Sequence, residues 1–353
     1  MENSTPPRTL VVLMDGTFAS LTEGRGSSIA RIHGMLSGDM GPPGGQVLLH
    51  YAPGQQWAAW RTVPELVSGA SLDCNIRAAY GWLAQTWRPG DRLYLFGYSR
   101  GGVGVCALAD MIARIGLLTP DQATGDAVLC AWNIYRHCPG ERLDPARCHD
   151  HVPVRMVGLL DTVMSLGLRL PFLWTLSEPD FSYAKGRLAP NVEHGVHALA
   201  LDETRVAFAP ILWWDDADGR VQQMWFRGCH PDVGGQLGGQ ETARPLANVP
   251  LVWLLTQAEG LGLPLPEGWR RHHPCDHGAP AVGSWRSWGK IFLTRAPRRV
   301  GADASQALHP SVGPYDGPAL LTGHLAAAAR PGRARRLRLR LSGPRGMDPS
   351  APA

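Results

Sequence analysis

The stretch LYLFGYSRGG, from Leu93 to Gly102, decides how the rest of the chain is interpreted. Apolar and aromatic residues lead into GYSRG at 97–101, and the apolar segment VGVCALADMI follows at once. A strand that runs through a tight turn into a helix is the setting in which a serine between two glycines is exposed as a nucleophile. Gly97 and Gly101 fit there because such a turn has no room for bulky neighbours. We therefore predict that Ser99 is a nucleophile rather than an ordinary loop serine.

The sequence on both sides of this stretch alternates between strand-like and helix-like segments. Apolar runs predict strands in TLVVLMDGT (9–17), GQVLLHYAPG (45–54), DRLYLFGYS (91–99), VPVRMVGLLDTV (152–163), RVAFAPILW (205–213) and VQQMWFRGCH (221–230). Helical spacing predicts helices in SSIARIHGML (27–36), DCNIRAAYGWLAQTW (73–87), GGVGVCALADMIARIGLL (101–118) and NVPLVWLLTQAEGLGL (248–263). Continuous apolar strands that alternate with helices indicate the α/β class, with a mainly parallel central sheet covered by helices on both faces.

Composition and charge narrow the class of protein. The chain has 353 residues, of which 44% are hydrophobic and 18% charged, as in a folded globular protein with a large core. A net charge of +4 is too small to indicate nucleic acid as the main partner. No apolar run reaches the roughly 18 residues of a membrane span, and MENSTPPRTL does not resemble a signal peptide. We therefore expect the protein to be cytoplasmic in the cell that makes it.

The seven cysteines do not indicate a disulfide framework or a metal centre. Their number is odd and their spacing irregular, so we expect reduced thiols. RHCPG, RCHD and HHPCDH place Cys beside His, but none is a paired C-x-x-C array, so they are only a weak indication of zinc. We expect no metal site and no organic cofactor, and the sequence leaves calcium dependence open.

Three predicted strands end in residues suited to acyl transfer. Ser99 needs a base, and His230 leaves its strand into the glycine-rich loop HPDVGG, which can bring the imidazole to the serine. Asp161 follows another strand and is the expected acid, in the chain order Ser, Asp, His. Asp15 and Asp232 are the alternatives. We expect Asp15 to shape the exit of the first strand, and Asp232 to brace the histidine loop or hold an ion.

Two backbone N–H groups are expected to hold the oxyanion of the reaction. The residue after the nucleophile, Arg100, supplies the first. Gly16 or Thr17, in the DGT that follows the first predicted strand, supplies the second.

Two further segments have two interpretations each. Residues 164–190 form either a lid or acyl-chain wall, or a buried excursion that packs on the core. The first interpretation rests on apolar side chains unusual for a loop: Leu168, Leu170, Phe172, Leu173 and Trp174. Residues 1–328 are expected to form one catalytic domain, followed by a basic tail at 329–353. The tail is either a flexible terminus or, because of RLRLRL, an edge strand or a contact with anionic lipid.

Several motifs together resemble a known family. In chain order they are LMDGT, YAPG, NIRAAYGWL, RPGDRLYLFGYSRGG, GLLDTVMSLG, LAPNVEHGVHALALDETR and MWFRGCHPDVGG. From about residue 8 to about 315 they closely resemble the α/β-hydrolase family that contains the catalytic domains of type VI secretion phospholipase effectors, the first class of those lipase effectors. The resemblance implies Ser99 as nucleophile, Asp161 as acid and His230 as base. The chain differs mildly at Tyr98 and Gly102, where the family often has Phe and Ala.

The resemblance also implies a function. It implies a serine carboxylic-ester hydrolase, specifically a phospholipase A that releases fatty acid through an acyl-enzyme. The implied partners are a phospholipid or other acyl ester, a membrane surface contacted transiently, a secretion spike and an immunity protein, with export by a type VI secretion system. Two alternatives remain open: a cytoplasmic esterase or thioesterase on soluble acyl esters, and a non-catalytic hydrolase-like module that binds a lipid or a protein.

Overall fold

The computed structural model describes most of the chain between residues 7 and 313. The described residues are 7–38, 46–56, 70–163, 186–214, 218–285, 290, 292–301 and 303–313. The predicted wall residues Leu170, Phe172, Leu173 and Trp174 lie outside them, as does the predicted tail. The lid and the domain boundary at residue 328 therefore stay predictions.

The described strands form one sheet in which every neighbouring pair is parallel. The strands are β1 (Thr9–Met14), β2 (Val47–Ala52), β3 (Arg92–Tyr98), β4 (Met156–Leu160), β5 (Gly195–Ala200), β6 (Val221–Phe226) and β7 (Gln306–Leu308). Their order across the sheet is β2-β1-β3-β4-β5-β6-β7. Because all strands are parallel, their carboxyl ends meet at one edge of the sheet, where α/β proteins place their reactive groups.

The helices follow the strands along the chain. The α-helices of the described residues are α1 (Ser28–Ser37), α2 (Ala70–Thr86), α3 (Arg100–Ile115), α4 (Gly125–His137), α5 (His230–Gly234) and α6 (Arg244–Gly260). Short 3₁₀ helices occupy Pro145–Arg147, Val206–Phe208, Glu241–Ala243, Trp269–His272 and Pro310–Val312. In the part of the chain that is described, no helix combines the length and hydrophobicity of a membrane span.

Alternate residues of each strand pack into opposite halves of the core. In β1, Leu10, Val12 and Met14 join a cluster with residues of α2, α3 and α4. Val11 and Leu13 point the other way and pack with residues of α1 and α6. Each fully buried side chain of this size contributes about 1.5–3 kcal/mol to the free energy of unfolding. Burial on both faces explains the continuous apolar runs and confirms the predicted α/β class.

One predicted strand is wrong, and four elements were missed, among them the helix α5, which takes the place of the predicted loop HPDVGG. Residues 205–213 contain the 3₁₀ helix Val206–Phe208 and two isolated bridges, Arg205 to Arg295 and Val163 to Pro210, but no strand. The place in the sheet beside β4 belongs to β5, whose short run GVHALA was not predicted. The helix α4 and the three-residue strand β7 were also missed.

Candidate active site

Ser99 occupies the turn between β3 and α3 in a strained conformation. Its φ is 54° and its ψ −126°, values that residues with a Cβ rarely adopt. The glycines beside it are required sterically. A Cβ on Gly97 would lie 2.5 Å from the Gly102 Cα, and one on Gly101 would lie 2.2 Å from the Met14 carbonyl oxygen. The strand–turn–helix junction therefore places Ser99, which is buried with a relative exposure of 5%, at the carboxyl edge of the sheet beside His230.

His230 joins the serine to the acid. Its Nε2 lies 2.9 Å from Ser99 Oγ, and its Nδ1 lies 2.7 Å from Asp161 Oδ2. The ring is held between Tyr98 and Phe208, with ring centroids 4.9 and 5.0 Å away. Because an ionised carboxylate only accepts hydrogen bonds, Nδ1 carries the proton and Nε2 is free to accept from the serine hydroxyl.

Asp161 is fully buried, and four donors surround its carboxylate. Oδ1 accepts from the Ala200 N–H at 2.9 Å and from Arg298 Nη1 at 2.5 Å. Oδ2 accepts from His230 and from Arg298 Nη2 at 3.0 Å. Burial alone would raise the pKa of Asp161, but the charge of Arg298 and the hydrogen bond from His230 hold it well below its ordinary value. The carboxylate is therefore ionised at neutral pH.

Three charged residues at the site, Arg298, Glu203 and Arg205, were not predicted from the sequence. Arg298 is separated from Asp161 by 137 positions and follows no predicted strand, so no local pattern marks it. Glu203 accepts the backbone N–H of His230 at 3.2 Å and pairs with Arg205 at 2.6 Å. The guanidinium of Arg205 in turn lies 3.7 Å above the ring of Phe208. The motif LALDETR contains Glu203 and was the available signal.

The backbone N–H groups of Gly16 and Thr17, the two candidates for the second oxyanion donor, differ in whether they already donate a hydrogen bond. The Gly16 N–H donates to Asp15 Oδ1 at 2.8 Å, which favours Thr17 of the two. The Thr17 N–H has no hydrogen-bond acceptor among the described residues. Arg100 holds this loop, since its Nε donates to Thr17 Oγ1 at 2.6 Å. Gly54 was also not predicted to belong to the site. A Cβ on Gly54 would lie 1.6 Å from the Gly16 carbonyl oxygen, so only glycine fits where the loop after β2 meets the loop after β1.

Asp15 and Asp232 brace the loops of the site. Asp15 also accepts from Ser27 Oγ at 2.6 Å and from the Tyr51 hydroxyl at 2.9 Å, and burial raises its pKa. Asp232 accepts the backbone N–H groups of Cys229 at 2.8 Å and Val282 at 2.7 Å. Within the described residues, neither carboxylate has a hydrogen bond to His230. The described part of the chain contains no group of three His, Cys, Asp or Glu side chains arranged to hold a metal ion.

Comparisons with known proteins point to one family. The family model described as "T6SS, Phospholipase effector Tle1-like, catalytic domain" matches residues 8–257. In sequence, the uncharacterized protein YEL023C of Saccharomyces cerevisiae is 31% identical over 158 residues, which is 40% of this chain and 22% of the yeast protein. The chain therefore spans about a fifth of that relative.

Two solved structures are similar at low sequence identity. One is the Tle1 effector bound to the VgrG spike from the type 6 secretion system, with 16% identity, a TM-score of 0.38, and 65% of this chain and 51% of that chain covered. The other is an uncharacterized protein from Pseudomonas aeruginosa, with 18% identity, a TM-score of 0.44, and 73% and 46% covered. The chain thus spans about half of each solved protein.

Proposed function

The chain belongs to the family of type VI secretion Tle1-like phospholipase effector catalytic domains, and on that premise we propose that it is a serine carboxylic-ester hydrolase, specifically a phospholipase A. We assign Ser99 as nucleophile, His230 as general base and Asp161 as the acid that orients the base. The proposal extends the family assignment to particular residues and to a particular bond, the acyl ester of a glycerophospholipid.

One observation carries the proposal. Ser99 Oγ, the His230 imidazole and the Asp161 carboxylate form a continuous hydrogen-bonded row, with distances of 2.9 and 2.7 Å. The serine stands on a strained turn at the start of α3, whose N-terminal positive dipole end favours a developing negative charge. An ionised acid, an imidazole hydrogen-bonded to a serine hydroxyl and a positive dipole end are what acyl transfer requires.

The proposed reaction proceeds through an acyl-enzyme. Ser99 Oγ attacks the ester carbonyl carbon while its proton passes to His230 Nε2. The backbone N–H groups of Arg100 and Thr17 hold the resulting oxyanion. As the intermediate collapses, the ester C–O bond breaks and the leaving lysophospholipid oxygen takes the proton from His230. Water then attacks the acyl-enzyme, again giving its proton to His230, and the fatty acid is released with Ser99 restored.

The test compares fatty-acid release from phospholipid vesicles with hydrolysis of a short p-nitrophenyl ester. Wild type is expected to act on both, and Ser99→Ala is expected to lose at least about 10³-fold in kcat on each. The matched control is Ser37→Ala, an exposed serine at the end of α1, which is expected to retain full activity. Parallel assays with added calcium and with a chelator determine whether the ion assists.

The possible outcomes separate the candidate functions. Release from vesicles that is lost in Ser99→Ala supports the phospholipase. Hydrolysis of the short ester alone contradicts it and favours an esterase or thioesterase of soluble substrates. A folded wild type that is inactive on both substrates contradicts the enzymatic proposal and favours a binding module.

Export by a type VI secretion system, with a spike and an immunity protein as partners, is part of the same proposal. It is supported by the family assignment. The expected result is that the chain is found in the medium of producing cells and is lost from it when the secretion sheath is deleted. Equal amounts in the medium of both strains would contradict export by this route.

A further inference from the structure

Arg298 reaches the active site from a segment that lies beyond the part of the chain matched by the family. The match ends at residue 257, and Arg298 belongs to the segment 292–301. Its side chain is buried, with a relative exposure of 7% for the residue. A buried guanidinium is rare unless its charge is compensated. Here the compensating charge is Asp161, the assigned acid of the site.

The contact between the two residues is bidentate. Nη1 donates to Asp161 Oδ1 at 2.5 Å, and Nη2 donates to Oδ2 at 3.0 Å. A planar guanidinium that holds both oxygens fixes the plane of the carboxylate, which a single donor does not. Because Oδ2 is also the acceptor for His230 Nδ1 at 2.7 Å, the direction of that hydrogen bond depends on how Arg298 holds the carboxylate.

The same guanidinium also donates hydrogen bonds to two backbone carbonyls beside the site. Nη1 donates to the Ala200 carbonyl at 2.7 Å, and Nη2 donates to the Phe208 carbonyl at 2.6 Å. Ala200 ends β5, whereas Phe208 ends the 3₁₀ helix and packs edge-on against the His230 ring with centroids 5.0 Å apart. One side chain therefore positions both the acid and an aromatic contact of the base.

We propose that Arg298 is a positioning residue of the active site, which aims the Asp161 carboxylate at His230 and holds Phe208 against the imidazole. The inference rests on the proposed function, because it assigns Arg298 to the same reaction. It gives a functional role to a segment that the family match does not reach.

Arg298 also sets the charge that the base experiences. The ionisable groups packed around Asp161 and His230 are Tyr98, His197, Glu203, Arg205 and Arg298. Glu203 already pairs with Arg205, so Arg298 is the counter-charge of Asp161. Without it, the uncompensated carboxylate favours the protonated form of the imidazole. Since the reaction needs the neutral form, the acidic limb of the pH–rate profile then moves to higher pH.

The test measures how fast a fluorophosphonate probe labels Ser99 between pH 5 and pH 9, with the labelled peptide identified by mass spectrometry. Arg298→Gln is expected to lower the rate at neutral pH about tenfold or more and to move the acidic limb up by roughly one pH unit. Arg298→Lys restores the positive charge but not the planar contact. The acidic limb of the pH–rate profile is therefore expected to return to its wild-type position, while the labelling rate at neutral pH recovers only in part. The matched control is Arg299→Gln, which removes an exposed arginine from the next position and is expected to label like wild type.

A double-mutant cycle separates positioning from general structural support. The part of the Arg298 effect that acts through Asp161 is absent in an Asp161→Asn background, so Arg298→Gln is expected to lower the rate there by a smaller factor than it does in the wild type. A purely structural role predicts that the two losses multiply. Thermal unfolding of each variant checks folding. If Arg298→Gln does not fold, Arg298→Lys carries the test, with a wild-type limb and a reduced rate as the expected result.

Failure of the inference is distinguishable from failure of the proposed function. A wild-type protein that is not labelled at Ser99 overturns the proposed function and the inference with it. A wild type that is labelled, beside a folded Arg298→Gln with the same rate and the same acidic limb, overturns the role of Arg298 alone.

Discussion

Ser99 and Asp161 both have positive φ angles, 54° and 41°, although each carries a Cβ. A sparsely populated backbone conformation of this kind costs on the order of 1–3 kcal/mol for each residue. It persists because neighbouring groups hold both backbones. The Ser99 N–H donates to the Leu160 carbonyl at 3.1 Å, and the Asp161 N–H donates to the Ala198 carbonyl at 2.7 Å. Of the three non-glycine residues with positive φ in the described part of the chain, Phe18, Ser99 and Asp161, two have side chains that contact His230, and such strain is common at functional sites.

The buried His197 makes stability depend on pH. Its Nε2 accepts the Thr162 N–H at 3.0 Å, and burial lowers its pKa from 6.5 to about 3. As the pH falls, His197 therefore takes up a proton in the unfolded chain before it does so in the folded protein. The free energy of unfolding consequently falls as the pH drops below 6.5. Between pH 7 and pH 5, urea unfolding should show that wild type loses about 2 kcal/mol more than His197→Gln, which does not titrate. Parallel losses in the two proteins would contradict this expectation.

Glycine is required at position 54 because the loop after β2 closely approaches the loop after β1, which carries Gly16 and Thr17. A Cβ at Gly54 would lie 1.6 Å from the backbone oxygen of Gly16, so Gly54→Ala must displace the loop that carries Thr17. We expect kcat to fall about 10²-fold, because a shift of about 1 Å at a catalytic contact has this effect. The comparison is Gly34→Ala in α1, where no atom lies within 4 Å of the added Cβ. Gly34→Ala should keep its activity, whereas a fully active, folded Gly54→Ala would show that this approach is unimportant.

At the scale of elements, the wrongly predicted strand shows how packing overrides local preference. RVAFAPILW is apolar enough for a strand, but Pro210 cannot donate to a ladder, and Arg205 is committed to Glu203. The segment instead folds as the 3₁₀ helix Val206–Phe208 and lies over His230. A segment with the composition of a strand therefore packs against the imidazole of His230 instead of joining the sheet.

The N-terminus of α1 is coupled to the site, whereas that of α4 is not. Ser27 Oγ accepts the Ile29 N–H at 3.0 Å and donates to Asp15 Oδ1 at 2.6 Å. Thr124 Oγ1 accepts the Ala127 N–H at 3.2 Å at the start of α4. We expect Ser27→Ala and Thr124→Ala each to lower the free energy of unfolding by about 1 kcal/mol. Only Ser27→Ala should also lower kcat, because Asp15 holds the Gly16 N–H. Equal kcat in the two variants would argue against this coupling.

At the scale of the whole molecule, the parallel α/β fold gathers residues that are far apart in the chain. The segments that follow β1, β3, β4, β5 and β6 supply residues of the site at the carboxyl edge of the sheet, and the segment 292–301 adds Arg298. The order β2-β1-β3-β4-β5-β6-β7 places β1 and β4 on either side of β3. The loop with Thr17 and the acid Asp161 therefore flank Ser99.

The sequence by itself determined the parallel sheet and singled out Ser99, Asp161 and His230, because each follows an apolar strand and such strands share one edge. The structure brings the side chains of Ser99 and Asp161 within hydrogen-bond distance of His230. Only the tertiary structure decided that the Gly16 N–H is taken by Asp15 and that Arg298 holds the acid. Local patterns record periodicity and turns over a few residues. A contact across 137 positions depends on how distant segments pack, and no such pattern encodes it.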